Sequence, residues 1–265
     1  MGGKYKVTDA EFWRKVKQHF YIDDLNTGAK TVTEGIETYH KMKGRFQEFG
    51  FNLRKWRTNS RQLKEVMDKA EASIVAENIV MGPQEKILGI KWNSEKDVLK
   101  LDVKEIFPEA HTTKPTKRNI LKIIAGIYDP IGFLQPLVID FKILFQNICK
   151  ASLQWDDELT GDLLQSWRGI LQKMEGMNEV VIERRYYKSC EINDPILTVQ
   201  LHGFSDASTA AYGACVYIKT TKKSGDFDIR LVTGKSRVVP LNKVYTIPRL
   251  ELLGNYILSN RGHCD

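Results

Sequence analysis

The N-terminal part of the chain alternates between helical spacing of apolar residues and short strand-like steps. Thr8 and Glu11 have the S/T-x-x-E spacing of a capping box, which predicts a helix that starts near Asp9 and runs through "EFWRKVKQ". A short apolar step, "HFYI", then leads to the adjacent acids Asp23 and Asp24, and the turn residues of "LNTG" follow. The acid pair is therefore predicted to lie at a tight turn at the end of a strand.

A second capping box, formed by Thr31 and Glu34, predicts a longer amphipathic helix that ends at Gly50 and packs against this turn. Further along, "FNLRKW" alternates like a strand, and "SRQLKEVMDKA" predicts a short helix that starts at its serine. Two strand-like runs in "EKILGIKWNSEKDVLKLDV" flank the turn "NSEKD" and predict a β-hairpin that presents Leu88 and Trp92.

The middle of the chain has helical periodicity. "TKRNILKIIAGIYDPIGFLQPLVIDFKILFQNICK" predicts helices broken at the corner from Pro130 to Pro136. "WDDELTGDLLQSWRGILQKM" predicts a further amphipathic helix, with Asp156, Asp157 and Glu158 as solvent-facing acids in its first turn.

The last part of the chain returns to strand-like alternation. "PILTVQLHGFSDASTAAYGACVYIKTT" predicts a strand that ends at Asp206, a tight turn and a second strand, and "FDIRLVTGKSRVV" predicts a third, antiparallel strand. "IPRLELLGNYILSN" then predicts a helix with Pro248 in its first turn and Glu251 among leucines. The mixture of elements indicates an α+β fold.

Composition sets limits on the class of protein. The 265 residues are 42% hydrophobic and 28% charged, enough for one large domain or two to three small ones. The formal charge of +7 favours polyanionic partners but is also common in ordinary domains. The four cysteines are widely spaced, which favours reduced thiols over a zinc site or a disulfide framework. No signal peptide or membrane-spanning run is recognisable, so an intracellular protein, cytoplasmic or nuclear, is expected.

The acids need a physical explanation. Adjacent carboxylates repel each other, so Asp23 and Asp24 indicate either a divalent metal site or a solvated turn. Glu251 is either on the exposed face of its helix or directed at a metal near the sheet, and its position alone does not decide between the two.

The motifs together resemble a known family. "FYIDDLNTGAKTVTEGIE", "FNLRKW" and "ILGIKWN" resemble the second half of a reverse-transcriptase palm, and are most similar to the Bel/Pao class of long-terminal-repeat retrotransposon polyproteins. "LKIIAGIYDPIGFLQPLVIDFKIL" resembles the thumb and connection of that class, and "HGFSDASTAAYGACVYI" with "IPRLELLG" resembles the start of its RNase H domain. The resemblance implies the end of a palm with a primer-grip-like hairpin over 1–105, a helical thumb or connection over 106–190, and the start of an RNase H-like α/β domain over 191–265.

The resemblance also implies roles for individual residues. Asp23 and Asp24 would belong to a polymerase metal site, and Asp206 and Glu251 would be two of four acids of a hydrolytic site, each site using two Mg²⁺ or Mn²⁺ ions. The implied partners are a primer–template or an RNA/DNA hybrid and the remaining segments of a polyprotein. The residues implied to bind nucleic acid are Tyr21, Arg54, Lys55 and Trp92.

The same resemblance predicts incomplete sites. The polymerase site needs a further aspartate from an upstream palm strand, and the RNase H site needs two further acids downstream of the helix that carries Glu251. We therefore expect little activity from this chain alone, and an open edge on the strand "LTVQLHGF". Two alternatives remain: a non-catalytic nucleic-acid-binding remnant, and a pseudogene product without a selected role.

Several residues have simpler interpretations. Trp56, Trp92 and Trp155 are predicted to pack rather than to stack on bases, and Lys122 and Lys142 are predicted to extend from apolar helices to water. Tyr21 either lines the active-site side of its turn or packs.

Overall fold

The computed structural model describes residues 10–21, 24–71, 85–87, 90–102, 110–175, 177, 179–186 and 194–262. The chain divides into two compact units, Met1–Leu99 and Lys100–Asp265. Both mix helices with antiparallel strands, in agreement with the predicted α+β class. No helix within the described ranges is long and apolar enough to cross a membrane.

The first unit begins with a helix, a very short hairpin and a second helix. Its elements are α1 (Ala10–His19), β1 (Phe20–Tyr21), β2 (Asp24–Leu25), α2 (Val32–Glu48), α3 (Arg61–Glu71), β3 (Glu85–Ile87) and β4 (Ile90–Asn93). Strand β5 (Val98–Asp102) crosses the boundary between the units.

The two helices enclose a small apolar core beside the hairpin. Phe12 and Val16 of α1 are buried together with Met42 of α2, and Leu25 of β2 packs against them. Phe20 of β1 stacks on Phe46 of α2, with their ring centroids 5.9 Å apart. The amphipathic helix therefore packs against the hairpin, as its apolar spacing predicted.

The start of α2 is fixed by local hydrogen bonds. Thr31 Oγ1 accepts the backbone N–H of Glu34 at 3.1 Å, and Glu34 Oε2 accepts the backbone N–H of Lys30 at 2.8 Å. Gly50, with φ of 78°, follows the helix end. The predicted capping residues and the predicted stop are both confirmed, whereas the capping box at Thr8 lies outside the described residues.

The segment "FNLRKW" is not the strand that its alternation predicted. The segment has no regular secondary structure, and Lys55 has φ of 57°, which breaks an extended backbone. Trp56 folds back, since its Nε1–H donates to the carbonyl of Leu53 at 3.1 Å and its ring packs edge-on against Tyr39. The packing of one half-buried tryptophan therefore overrides the alternating pattern, and Trp56 is a packing residue as predicted.

The turn between β4 and β5 is closed by Asp97. Its φ is 53°, and its carboxylate accepts Trp92 Nε1–H at 3.1 Å and Asn59 Nδ2–H at 2.9 Å. The predicted turn is therefore present, and half-buried Trp92 is held by it. Leu88 lies outside the described residues.

The second unit contains helices and a long three-stranded sheet. Its elements are α4 (Lys117–Gly126), α5 (Gln135–Lys150), α6 (Gly161–Glu175), β6 (Glu179–Glu183), β7 (Ile196–Ala207), β8 (Ala211–Lys222), β9 (Phe227–Val238) and α7 (Ile247–Gly262). The break between α4 and α5 falls at the predicted proline corner, and Pro248 lies in the first turn of α7, also as predicted.

The sheet has the order β7-β8-β9 with antiparallel pairing throughout, so β7 and β9 are its edges among the described residues. The loop before α5 covers the β9 edge: Gly234 N–H donates to the carbonyl of Ile131 at 2.8 Å, and Ser236 N–H donates to Gln135 Oε1 at 3.0 Å. Helix α7 packs on β7 and β8, where Leu250 and Ile257 are buried with Tyr212.

The acids of "WDDEL" precede helix α6 and were wrongly predicted to lie in its first turn. Asp156 forms a bidentate pair with Arg118, at 2.8 and 3.0 Å, and this guanidinium lowers the pKa of the Asp156 carboxyl. Glu158 accepts from Lys114 Nζ at 2.5 Å and raises the pKa of that lysine. Trp155 is 45% exposed, and its ring packs beneath Lys117 and Arg118 outside the core. These contacts attach the loop to the start of α4.

Candidate functional site

Asp206 lies near the carboxyl end of β7. It pairs with Gly213 of β8, it is exposed, and its Oδ1 accepts the backbone N–H of Ala207 at 2.8 Å. Side chains alternate along a strand, so Asp206 points away from the face on which its neighbours Ser205 and Ala207 meet α7. The carboxylate is therefore accessible at the end of the strand.

Helix α7 approaches this end of β7 through a glycine. A Cβ placed on Gly254 would lie 3.3 Å from the carbonyl oxygen of Gly213 and 3.6 Å from that of Asp206. One turn earlier, exposed Glu251 lies on the same side of the helix. One residue later, Asn255 Oδ1 accepts the Ser205 hydroxyl at 2.7 Å. The packing of α7 therefore brings the helix segment that carries Glu251 near the backbone of Asp206, while the Asp206 side chain points away from the face that α7 covers.

Asp206 and Glu251 are the two acids of the second unit that the family resemblance implies as metal ligands. Carboxylate oxygens are the ligands that Mg²⁺ and Mn²⁺ prefer. Neither Asp206 nor Glu251 forms an ion pair with any other described residue. Within the described ranges, no group of three or more His, Cys, Asp or Glu could hold a metal ion.

The "YIDD" motif forms a hairpin in the first unit. Phe20 pairs with Leu25, and Tyr21 pairs with Asp24. Asp24 is exposed, and the cluster of Phe12, Val16 and Met42 supports the hairpin through Leu25. Asp23 and the side chain of Tyr21 lie outside the described residues.

The residues implied to bind nucleic acid have different surroundings. Arg54 and Lys55 are exposed on the loop that Trp56 anchors, so their charges face solvent. Trp92 is half-buried, and its indole N–H donates to the carboxylate of Asp97. The cysteines Cys149 and Cys215 are free thiols, and burial raises the pKa of Cys215; Cys190 and Cys264 lie outside the described residues.

The sequence interpretation missed the residue that organises the start of α5. Asp129 accepts the backbone N–H groups of Gly132, Phe133 and Leu134 at 2.9 to 3.0 Å, and also the side-chain amide of Gln135 at 3.3 Å. The signal was present, because aspartate before proline and a nearby glycine is typical of a turn that caps its own backbone. This cap holds the loop that covers the β9 edge.

A comparison with known protein families gives a match within the second unit. The profile of the family described as "Pao retrotransposon-like RNaseH-like domain" matches residues 116–263, which include α4 to α7 and both Asp206 and Glu251. A search of curated proteins gave no significant match. Since the matched region covers more than half of the sequence, the chain belongs to the Pao retrotransposon-like RNaseH-like domain family.

Proposed function

We propose that the chain is a segment of a Pao-type retrotransposon pol polyprotein, and that its second unit cleaves the RNA strand of an RNA/DNA hybrid. The observation that supports this proposal is the close approach of α7, at Gly254, to the backbone of Asp206, because the two candidate acids lie on these two elements. The family match over the same residues supports it.

In this proposal the two acids have a defined task. Asp206 and Glu251 hold a divalent ion, Mg²⁺ or Mn²⁺, which activates a water molecule and neutralises charge on the phosphate. Affinity for such ions depends on the number of charged ligands, so two carboxylates bind weakly. We therefore expect this chain to cleave slowly and to require millimolar Mg²⁺, with the remaining segments of the polyprotein raising the rate.

The test is magnesium-dependent cleavage of a labelled hybrid by the purified chain and its variants. Asp206→Asn and Glu251→Gln are expected to abolish cleavage, because each removes a charged ligand while keeping nearly the same shape. Asp162→Asn is the matched control, since it removes an exposed carboxylate from the first turn of α6. Equal rates for all three variants and the wild type would overturn the proposal.

A second proposed function concerns the first unit. The pairing of Tyr21 with Asp24 gives "YIDD" a tight hairpin, and the packing of α2 behind it supports the assignment of Asp23 and Asp24 to a polymerase palm. In the polyprotein, Asp24→Asn is expected to abolish primer extension and to leave hybrid cleavage unchanged. Unchanged primer extension would contradict the palm assignment.

The alternative is a non-catalytic nucleic-acid-binding protein. The charge of +7 and the exposed Arg54 and Lys55 favour it. In that case hybrid binding would fall steeply with salt, since it depends on phosphate contacts. It would also survive both Asp24→Asn and Asp206→Asn, and cleavage would be absent from the polyprotein as well as from this chain.

A further inference from the structure

The three-stranded sheet has a second face, opposite to the one that α7 covers. Tyr212 of β8 packs against α7, and side chains alternate along a strand, so Tyr217 and Lys219 of β8 are on the opposite face. The register adds members from both neighbouring strands to this face. We call it the aromatic sheet face, and its members are Phe204, Tyr217, Lys219, Phe227 and Ile229.

Two contacts hold the aromatic rings of this face in place. The ring centroids of Phe204 and Tyr217 are 6.1 Å apart in an edge-on arrangement, and Lys219 Nζ lies 5.0 Å from the ring centroid of Phe227. The apolar members Phe204, Phe227 and Ile229 are nonetheless 49% to 60% exposed. Aromatic rings that are held by such contacts and still remain accessible form a platform for a flat apolar ligand.

The aromatic sheet face leads to the candidate acid of β7. Asp206 follows Phe204 by two positions, so it is on the same face, about 7 Å farther along the strand. Its partner across the sheet, Gly213, has no side chain that could shield the carboxylate. Lys219 lies six positions beyond Gly213 on β8, so the face extends about 20 Å from Asp206. At about 3.4 Å per stacked nucleotide, this length holds roughly six nucleotides.

Polar side chains beside the rings indicate the class of ligand. Gln200 pairs with Lys219 and His202 pairs with Tyr217, so hydrogen-bonding groups are interleaved with aromatic ones. Lys219 forms no ion pair with any other residue that the structure describes. A wholly apolar partner would bury this ammonium and these polar groups without compensation. Unpaired nucleotides supply both flat bases for the rings and phosphates for the cation.

We propose that the aromatic sheet face binds unpaired nucleotides of a nucleic-acid strand that runs to Asp206. Phe204 and Tyr217 stack on bases, and Lys219 contacts a phosphate. The choice of ligand rests on the proposed function of the second unit, whereas the surface itself rests on exposure and strand register. These residues position the strand and take no part in the chemistry. A duplex already stacks its bases on one another, so the face favours a single strand.

The experiment measures binding without cleavage. The full chain is titrated into a labelled single-stranded RNA of about twelve nucleotides, in EDTA at about 50 to 200 mM salt. The variants are Phe204→Ala, Tyr217→Leu and Lys219→Gln. Tyr256→Ala and Lys150→Gln are the matched controls, since they remove an exposed aromatic ring from α7 and an exposed cation from the end of α5.

The aromatic and cationic members should have different effects. Phe204→Ala and Tyr217→Leu are each expected to weaken binding by about 5- to 100-fold, as for the loss of one stacked base, with an unchanged salt dependence. Lys219→Gln should instead lower the slope of log K against log salt by about 0.7, as for one phosphate contact of a single strand. Both controls should bind as the wild type does. A blunt RNA/DNA hybrid should compete less well than unlabelled single strand, because its bases are paired.

RNA affinity of Phe204→Ala equal to that of Tyr256→Ala would overturn the proposal, and this comparison holds even if Tyr217→Leu fails to fold. Stronger competition by the blunt hybrid than by single strand would also overturn it. Reduced self-association of Phe204→Ala with unchanged RNA affinity would assign the face to a contact between copies of this chain instead. Because binding in EDTA requires no metal, failure here leaves the cleavage test unaffected. Failure of the cleavage test likewise leaves RNA binding by this face intact.

Discussion

Gly132 lies where the loop before α5 meets the edge of the sheet, and substitution by alanine should be strongly destabilising there. Its φ is 95°, a conformation that residues with a Cβ rarely adopt. A Cβ at this position would lie 2.7 Å from the Cα of Gly234, with the carbonyl oxygen of Gly234 nearer still. Because the obstacle is backbone, it cannot rotate away as a side chain would.

The size of the effect follows from the backbone strain at residue 132 and from the steric overlap with Gly234. Forcing alanine into a left-handed conformation costs about 1–2 kcal/mol. Relief of the steric overlap separates the loop from β9 and weakens the 2.8 Å bond from Gly234 N–H to the carbonyl of Ile131, a further loss of about 1 kcal/mol. We therefore expect Gly132→Ala to lower the free energy of unfolding of the second unit by about 2–3 kcal/mol.

Urea unfolding of the full chain, combined with amide hydrogen exchange, measures this effect. Gly126→Ala is the control, because Gly126 ends α4 with open space around its Cα, and alanine there should stabilise by about 0.5 kcal/mol. In Gly132→Ala the amides of Gly234 and Ser236 should lose protection, since their acceptors are Ile131 and Gln135.

The same measurement tests the predicted domain boundary at residue 190. If 106–190 and 191–265 fold independently, Gly132→Ala should leave the sheet unaffected. Equal unfolding midpoints for the two glycine variants, or unchanged protection in β9, would refute the reasoning.

Further predictions concern caps, charge and the open strand edge. Thr31→Ala should destabilise α2 by about 1 kcal/mol, measured by urea unfolding of the first unit, because it removes the hydroxyl that accepts Glu34 N–H. Asp129→Asn should destabilise the second unit by about 1–2 kcal/mol in the same assay, because a charged acceptor of three backbone N–H groups is lost. Lys142→Met should be more stable than the wild type near neutral pH, because burial lowers the pKa of Lys142 in the folded protein and the charged lysine therefore costs stability there. This advantage should shrink as pH rises towards 10.5, because the wild-type lysine loses its proton in the folded state before it does so in the unfolded chain. An advantage that grows with pH would contradict this sign. Leu201→Lys should reduce self-association, measured by light scattering, because Leu201 is 58% exposed on the β7 edge; unchanged association would show that this edge is not the contact.

Local sequence motifs predicted the helices and strands whose ends are determined by nearby residues. Thr31 with Glu34, and Pro248 at the start of α7, act within one helical turn, so their motifs predicted the helix starts. The three long strands followed from alternation and from the turns between them. In these cases the residues that determine the structure lie within a few positions of one another.

The sequence patterns did not predict features that depend on contacts between residues far apart in the sequence. "FNLRKW" alternates like a strand, but half-buried Trp56 packs edge-on against Tyr39, and the chain turns at Lys55. The acids before α6 pair with Arg118 and Lys114, which are about forty positions away in sequence. No periodic pattern reports such pairs, since a surface acid has the same sequence signature with or without a partner.

The candidate site combines both kinds of information. Asp206 was predicted from the end of a strand, but the position of Glu251 depends on how closely α7 packs on β7. Two residues without side chains permit that approach: Gly254 meets the backbone of Asp206, and Gly203 leaves room for Leu258. Backbone packing therefore determines where α7 carries Glu251 relative to β7, and no hydrogen bond to the Glu251 carboxylate is needed for it. Neutral substitutions of the acids should consequently leave the fold intact, so that a loss of cleavage in Asp206→Asn or Glu251→Gln reports on the chemistry of the carboxylates.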